Sequence, residues 1–321
     1  MKKILVIRLS SIGDIVLITP VFRCLKKQLP DAEIHFVTKE SFKMVTASNP
    51  YIDKFHYFSG NLSVLIDQLK AENFDFIVDL HNNIRSLRIR KALKKECTVV
   101  NKLNIRKFLL NEFSIDVMPG RHITTRSLDT LKPLGVTDDG LGLDYFIPTE
   151  DKVTISDIPT SHHAGYIVYV CGATYQCKKL PLHKMKEMCA KINHPIILIG
   201  GKNDADEAAK VAAVDPVKIY NACGKFNINE SAWLVKDSKL VIAHDTGFQY
   251  IACAFQKPVI ALWGCTSPRL GFGAYYGERF LQKNGSDFYK DICLDLYCQP
   301  CSKGTNHCPL EHFHCMEKIS I

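Results

Sequence analysis

The sequence predicts an α/β protein made of two doubly wound domains facing a cleft. Three observations carry that expectation. Short, β-branched-rich apolar runs alternate with segments of helical spacing, as in βα units around a parallel sheet. The same grammar runs through the chain twice, once on each side of a polar stretch at 147–163. A length of 321 residues suits two domains of about 150 residues each.

Each element follows from local composition. Residues 3–9 (KILVIRL) read as a buried strand, and a Ser-Ser-Ile-Gly-Asp turn leads into a helical pattern that Pro30 and Asp31 stop. Residues 33–38 (EIHFVT) and 74–80 (FDFIVDL) read as further strands, with a helix over 61–72 for which Asn61 is the N-cap. In the second half, strands are expected at 166–171, 195–200, 239–243 and 258–263. Helices are expected at 181–193, 204–213 and 229–236, and a further one from Thr246. The stretch 147–163, with two prolines, is the expected linker between an N-terminal domain (1–155) and a C-terminal domain (156–321).

Composition narrows the function classes. Hydrophobic residues at 46% and charged residues at 23% exclude a disordered or fibrous chain. No apolar run reaches the roughly 18 residues of a membrane span. Arg8 and Asp14 interrupt the apolar N-terminus, which lacks a small-residue cleavage site, so it reads as strand and helix rather than a signal peptide. The expected location is cytoplasmic, and most of the thirteen cysteines, including Cys177 and Cys265, are expected as reduced thiols. The net charge of +8 suits phosphates, anionic lipids or nucleic acid. Nucleic acid is not expected, because aromatic interleaving and a known binding module are both absent.

Ligands of such sheets bind beyond the carboxyl ends of the strands, so the turns there are the candidate sites. The first is Ser10-Ser11-Ile12-Gly13-Asp14, which is not a GxGxxG dinucleotide fingerprint. Gly13 permits close backbone approach, and Asp14 either accepts a proton from a substrate hydroxyl or caps the helix it opens. The second, 172–181 (GATYQCKKLP), offers the Thr174 hydroxyl and two lysines to a diphosphate, or is a solvated basic loop. The third, Asp245-Thr246-Gly247-Phe248, opens a helix whose amides suit a phosphate. The fourth is the small-residue turn from Trp263 to Pro268.

The order of these motifs resembles the ADP-heptose:lipopolysaccharide heptosyltransferase family, glycosyltransferase family 9. The resemblance rests on ILVIRLSSIGDIVLITPVFRCLKKQLPDAEI, DLHNNIRS, GATYQCKKLP, HDTGFQYIACAFQKPVIALWGCTSP and the tail PCSKGTNHCPLEHFHCM, and runs from about residue 3 to 319. It implies a GT-B fold of two Rossmann-like domains, with acceptor on the N-terminal domain and an ADP-sugar donor on the C-terminal one. It also implies an inverting transfer without a metal at the reaction centre or any cofactor. The family's catalytic aspartate falls on Asp14 and its donor-phosphate lysine on Lys178. The donor loop falls on Asp245, Thr246 and Gly247, extended here to Phe248, and the hydroxyl before the lysine on Thr174. Ser10, Ser11, Gly13 and Arg85 lie on the acceptor side. Asp204 roughly matches an acidic position that contacts the ribose. Leu180, Tyr250 and Cys265 depart from the family's Trp, His and Pro, and flank the expected donor pocket.

Two features remain. The basic stretch 85–107 suits a phosphorylated, lipid A-linked lipopolysaccharide acceptor at the inner membrane face, or is a solvated helix face. Cys298, Cys301, Cys308 and Cys315 include one Cys-x2-Cys half of a zinc site, but the second pair lacks tight spacing; a reduced cysteine cluster is expected. The alternatives to heptose transfer are another nucleotide-sugar or acceptor within the same family, and a non-catalytic binding protein.

Overall fold

A computed structural model describes residues 2–301 and 306–321; the stretch 302–305 of the cysteine-bearing tail lies outside the described residues. The chain forms two compact units. The first comprises residues up to 102, 121–146 and 277–279; the second comprises 103–120, 147–276 and the chain from 280 onward. The main crossing at 146/147 therefore opens the stretch 147–163, and two short segments are exchanged between the contiguous halves.

The first unit is a five-stranded sheet of β1 (Lys3–Ile7), β2 (Glu33–Lys39), β3 (Lys54–Phe58), β4 (Phe76–Asp79) and β5 (Glu96–Val99), in the order β3-β2-β1-β4-β5. The second is a six-stranded sheet of β6 (Ile167–Val170), β7 (Ile196–Ile199), β8 (Ile219–Asn221), β9 (Leu240–His244), β10 (Val259–Leu262) and β11 (Tyr289–Ile292), in the order β11-β10-β9-β6-β7-β8. Every ladder is parallel; Ile4 stands opposite Ile34 and Phe76, and Val168 opposite Ile197 and Val241. Parallel strands need crossover connections; those after β1, β3, β6, β7, β8 and β9 hold helices the sequence spacing predicts, whereas Lys43–Thr46, Ile84–Leu93 and Glu278–Asn284 are helices it does not.

Burial explains the apolar runs. Ile4, Leu5, Val6 and Ile7 are all fully buried because β1 is covered on both faces, each side chain contributing about 1.5–3 kcal/mol. Leu5, Ile7 and Ile77 pack against Leu65, Leu69 and Ile89 of the helices Leu62–Ala71 and Ile84–Leu93. In the second unit Tyr169, Leu198 and Ile242 share a core with Met185, Val211 and the tail residues Cys315, Met316 and Ile319. Asn61 caps its helix as expected, accepting from the amides of Ser63 and Val64.

One expectation changes. The pattern after β1 is two helices, Ile12–Leu17 and Thr19–Gln28, rather than one. Pro20 has no N–H to donate to the Val16 carbonyl, and the Thr19 hydroxyl donates to it instead, at 2.8 Å. The second helix is held by Arg23, which is buried and pairs with Asp139 and Asp144 and with the Gly142 carbonyl. Among the described residues no helix is long and apolar enough to cross a membrane.

Candidate active site

In the first unit the site grows from the carboxyl end of β1. Ser11 is the N-cap of the Ile12–Leu17 helix, and Asp14 stands three residues on. The Asp14 carboxylate accepts from the Ser11 amide and hydroxyl, both at 3.0 Å. Its other oxygen is 2.6 Å from Arg8 Nη2. Arg8 is itself buried, donating to the Ser10 carbonyl at 2.8 Å and the Leu80 carbonyl at 2.5 Å. Burial pushes the Asp14 carboxyl up, but the Arg8 charge and the hydrogen bonds from Ser11 and Arg8 outweigh it, leaving the pKa below 3.8. Asp14 is thus an ionised, partly exposed carboxylate that also does the work of a helix cap. Gly13 is buried within the helix turn.

The β4 end adds His81, whose pKa burial and then the Arg8 charge push down to about 3, so the ring is neutral. Asp79 orders this turn by accepting from the amides of His81 and Asn82. Arg85 projects from the exposed face of the Ile84–Leu93 helix, 6.0 Å from the Phe58 ring centroid. Among the described residues it makes no hydrogen bond or ion pair with Asp14. Arg8 and His81 were not singled out by motif reading; the only signal was their position at the ends of β1 and β4.

In the second unit the structure brings Lys178 and Asp245 together. Lys178 lies in a tight turn at Gln176–Lys178 after β6, and Asp245 follows β9. Lys178 Nζ is 2.6 Å from Asp245 Oδ2, and the Thr266 hydroxyl donates to the same oxygen at 2.9 Å. The Tyr250 hydroxyl donates to the Phe272 carbonyl at 2.8 Å and lies 3.4 Å from Oδ1. The Leu180 amide donates to Nε2 of His244 at 2.9 Å, tying the lysine loop to the end of β9. Burial pushes the His244 pKa down to about 3, which keeps that nitrogen an acceptor.

Thr246 is the N-cap of the Gly247–Ala254 helix, and its hydroxyl is buried without a hydrogen-bond partner among the described residues. Gly247 is the first helical residue and Phe248 is half-buried beside it. Thr174 is exposed and is not bonded to this group. Tyr250, read as flanking the donor pocket, and Thr266, inside the fourth candidate turn, are not assigned to Asp245 by the sequence; the structure places both hydroxyls beside its carboxylate.

Three expectations are corrected. The two loop lysines are not equivalent: Lys178 pairs with Asp245 at the strand ends, whereas Lys179 is 7% exposed and committed to Asp204 and Glu207. Burial would lower its pKa, but the two carboxylates outweigh that and raise it. Cys177 and Cys265 are a disulfide rather than two separate thiols. Their loops run side by side, with the Cys265 amide donating to the Cys177 carbonyl at 3.1 Å. In the stretch 85–107, Lys107 is buried 4.0 Å from the Phe272 ring centroid and takes no part in an exposed basic face.

The tail cysteines 298, 301, 308 and 315 are free thiols, with Cys298 Sγ 3.8 Å from His312 Nε2. Among the described residues, His35, His56 and Glu72 gather three potential metal ligands, as do Cys24, Asp138 and Asp139. These groups are engaged otherwise: His35 bonds His56 at 2.9 Å and Glu33 at 2.8 Å, and Asp139 pairs with Arg23.

Known proteins are similar to this chain in sequence and in fold. The sequence model described as glycosyltransferase family 9 (heptosyltransferase) matches residues 63–308. Lipopolysaccharide heptosyltransferase 1 of Campylobacter coli is 23% identical over 295 residues, which span 82% of this chain and 84% of that protein. The crystal structure of a family 9 glycosyl transferase from Veillonella parvula superposes with a TM-score of 0.73 at 20% identity, covering 92% of this chain and 88% of the other. The structure of Escherichia coli ADP-heptose lps heptosyltransferase II gives a TM-score of 0.66 at 18% identity over 99% and 98% of the two chains. The two Rossmann-like units are those of a GT-B fold.

Proposed function

Since this chain belongs to glycosyltransferase family 9, the heptosyltransferase family, it is a glycosyltransferase, and we propose that it moves a heptose from ADP-heptose to the core of lipopolysaccharide with inversion at the anomeric carbon. The observation that carries this reading is the pairing of Lys178 with Asp245 at the carboxyl ends of β6 and β9, beside the buried Thr246 hydroxyl, which has no partner among the described residues. A cation, a helix N-terminus and an unpaired hydroxyl are what a sugar diphosphate requires.

In the proposed reaction Asp14 removes the proton from the acceptor hydroxyl. The acceptor oxygen forms its bond to the anomeric carbon as the bond from that carbon to the diphosphate oxygen breaks, and ADP leaves. Lys178 and the amides at Thr246 and Gly247 meet the charge that grows on the diphosphate, in place of a metal ion. Thr174 and Phe248 complete the donor pocket, and Asp245 receives a sugar hydroxyl. Ser10, Ser11, Gly13 and Arg85 line the acceptor side, so the two halves of the chain (1–155 and 156–321) divide the work as acceptor and donor domains.

The acceptor is lipid A-linked, and the enzyme works in the cytoplasm at the inner membrane face. The exposed face of the Ile84–Leu93 helix supports this. Residues 80–95 hold six cations and no acid, and Ile84 and Leu87 are exposed among them.

A second reading, a different sugar within the same family, is favoured by the Tyr250 hydroxyl at 3.4 Å from Asp245, a contact to the residue assigned to the donor sugar. A donor panel separates the two. The enzyme is incubated with a heptose-deficient lipopolysaccharide and ADP-heptose, other ADP-sugars, UDP-sugars or GDP-sugars, and nucleotide release is followed. Release from ADP-heptose alone is expected; release from another ADP-sugar, or only from UDP- or GDP-sugars, overturns heptose transfer and supports the second reading, and no release from any donor overturns both.

A further inference from the structure

Cys177 and Cys265 are 88 residues apart in sequence, yet each immediately precedes a residue that holds Asp245. Cys177 is followed by Lys178 and Cys265 by Thr266, and both of these side chains end on the same oxygen, Asp245 Oδ2, at 2.6 and 2.9 Å. The cross-link therefore joins the two loops at the point where their functional side chains converge. The backbones are in contact there: a Cβ placed on Gly264 would lie 2.2 Å from the Cys177 carbonyl oxygen. Both sulfurs are buried, Cys177 at 1% and Cys265 at 2% exposed. Among the described residues the other eleven cysteines are free thiols, so the bridge found there sits at this site.

We propose that Cys177 and Cys265 form a thiol–disulfide switch that positions Lys178 and Thr266 for the donor. The proposal rests on the reading of this site as the ADP-sugar pocket. Closure takes two protons and two electrons from the paired thiols. The electrons pass to an external disulfide of the glutathione class, which is cleaved to two thiols; a dithiol reductant runs the exchange backward. The oxidised form binds donor more tightly because the loops are already fixed and less ordering remains to be done on binding. The Cys265 amide to Cys177 carbonyl bond does not involve the sulfurs, so opening the bridge should loosen the loops rather than separate them. The expected weakening is therefore limited, about three- to tenfold, the equivalent of fixing one or two side chains. Because the sulfurs are buried, exchange requires the loops to part, and bound ADP slows reduction.

The test is titration of wild-type protein with ADP after equilibration with a dithiol or with oxidised glutathione, while alkylation and peptide mass mapping report the state of Cys177 and Cys265. The same titrations are made on Cys177→Ser and Cys265→Ser. The expected result is a dissociation constant that rises on reduction and recovers on oxidation in wild type. Both variants should hold the reduced value under either condition. Turnover with the donor should show the same rise in KM with kcat changed less than twofold. Wild type alone decides the matter if a variant does not fold. Equal ADP affinity with the pair mapped open and closed overturns the switch and leaves the donor site standing, as does a pair that oxidised glutathione cannot close. Absence of ADP binding in both states overturns the donor site and the switch together.

Discussion

Arg8 Nη2 lies 2.6 Å from Asp14 Oδ1, and this ion pair sets the charge of the residue proposed as the base. Left to burial alone the carboxyl would hold its proton more tightly; with Arg8 and Ser11 beside it, the pKa falls below 3.8. Asp14 is therefore ready to accept a proton throughout the neutral range. Its depressed pKa also adds stability at neutral pH, and that contribution is lost as pH falls through the lowered value.

Removing the charge of Arg8 should bring the acid limb of kcat/KM upward. An adjacent guanidinium lowers an aspartate by about 1–3 pH units, so Arg8→Gln should shift the limb up by roughly that amount. A pH–rate profile of the variant checks this. An unmoved acid limb in a folded variant would show that Arg8 does not set the charge on the base.

Lys178→Ala should weaken ADP binding. A charge-assisted contact is worth about 1.5–3 kcal/mol, or roughly 10- to 150-fold in affinity. Calorimetric titration reads it directly, and an unchanged dissociation constant would place the diphosphate elsewhere.

The exposed basic helix gives a separate forecast. Arg88 and Lys91 are exposed and unpaired among the described residues. Replacing both by Ala should weaken sedimentation with anionic vesicles by roughly 30-fold, taking about 1 kcal/mol for each cation near the surface. Wild-type binding should also fall as salt rises. Equal binding by both proteins would remove this helix from the membrane contact.

Arg23→Ala tests the packing of the first unit. It would leave Asp139 and Asp144 without their buried partner, at a cost of about 3–5 kcal/mol. Urea unfolding measures it, and a loss under about 1 kcal/mol would mean the pair is solvated.

The strands read from sequence are the inner ones of both sheets: β1, β2 and β4, then β6, β7, β9 and β10. The four that were not read, β3, β5, β8 and β11, are the four sheet edges. Inner strands are buried on both faces and so are written as apolar runs. Edge strands such as ECTV and YKDI are partly exposed and carry charge, which erases that signal.

The sites divide in the same way. Asp14, Lys178 and Asp245 stand in local motifs at strand ends and could be read as such. Thr266 on Asp245 and the Cys177–Cys265 pair depend on contacts between separate turns, which spacing along the chain does not encode; Arg8 and Tyr250 are near Asp14 and Asp245 in sequence, but only the way each turn folds back brings them together. Lys179 looked equivalent to Lys178 because nothing in the loop itself reveals Asp204 and Glu207 waiting beneath it.

The central claim, that Asp14 is the base for a transfer whose donor sits on the second unit, is tested most directly by Asp14→Asn. Asparagine can still accept from the Ser11 amide in the capping box, so the helix start should survive, and the melting curve reads what loss of the Arg8 ion pair costs. Turnover with a confirmed donor and acceptor is measured beside ADP affinity and a melting curve. The account predicts unchanged ADP binding and a loss of turnover of about 10²- to 10⁴-fold. A folded Asp14→Asn protein that turns over within about threefold of wild type, well short of that general-base range, would contradict it and reduce Asp14 to the helix cap it already is.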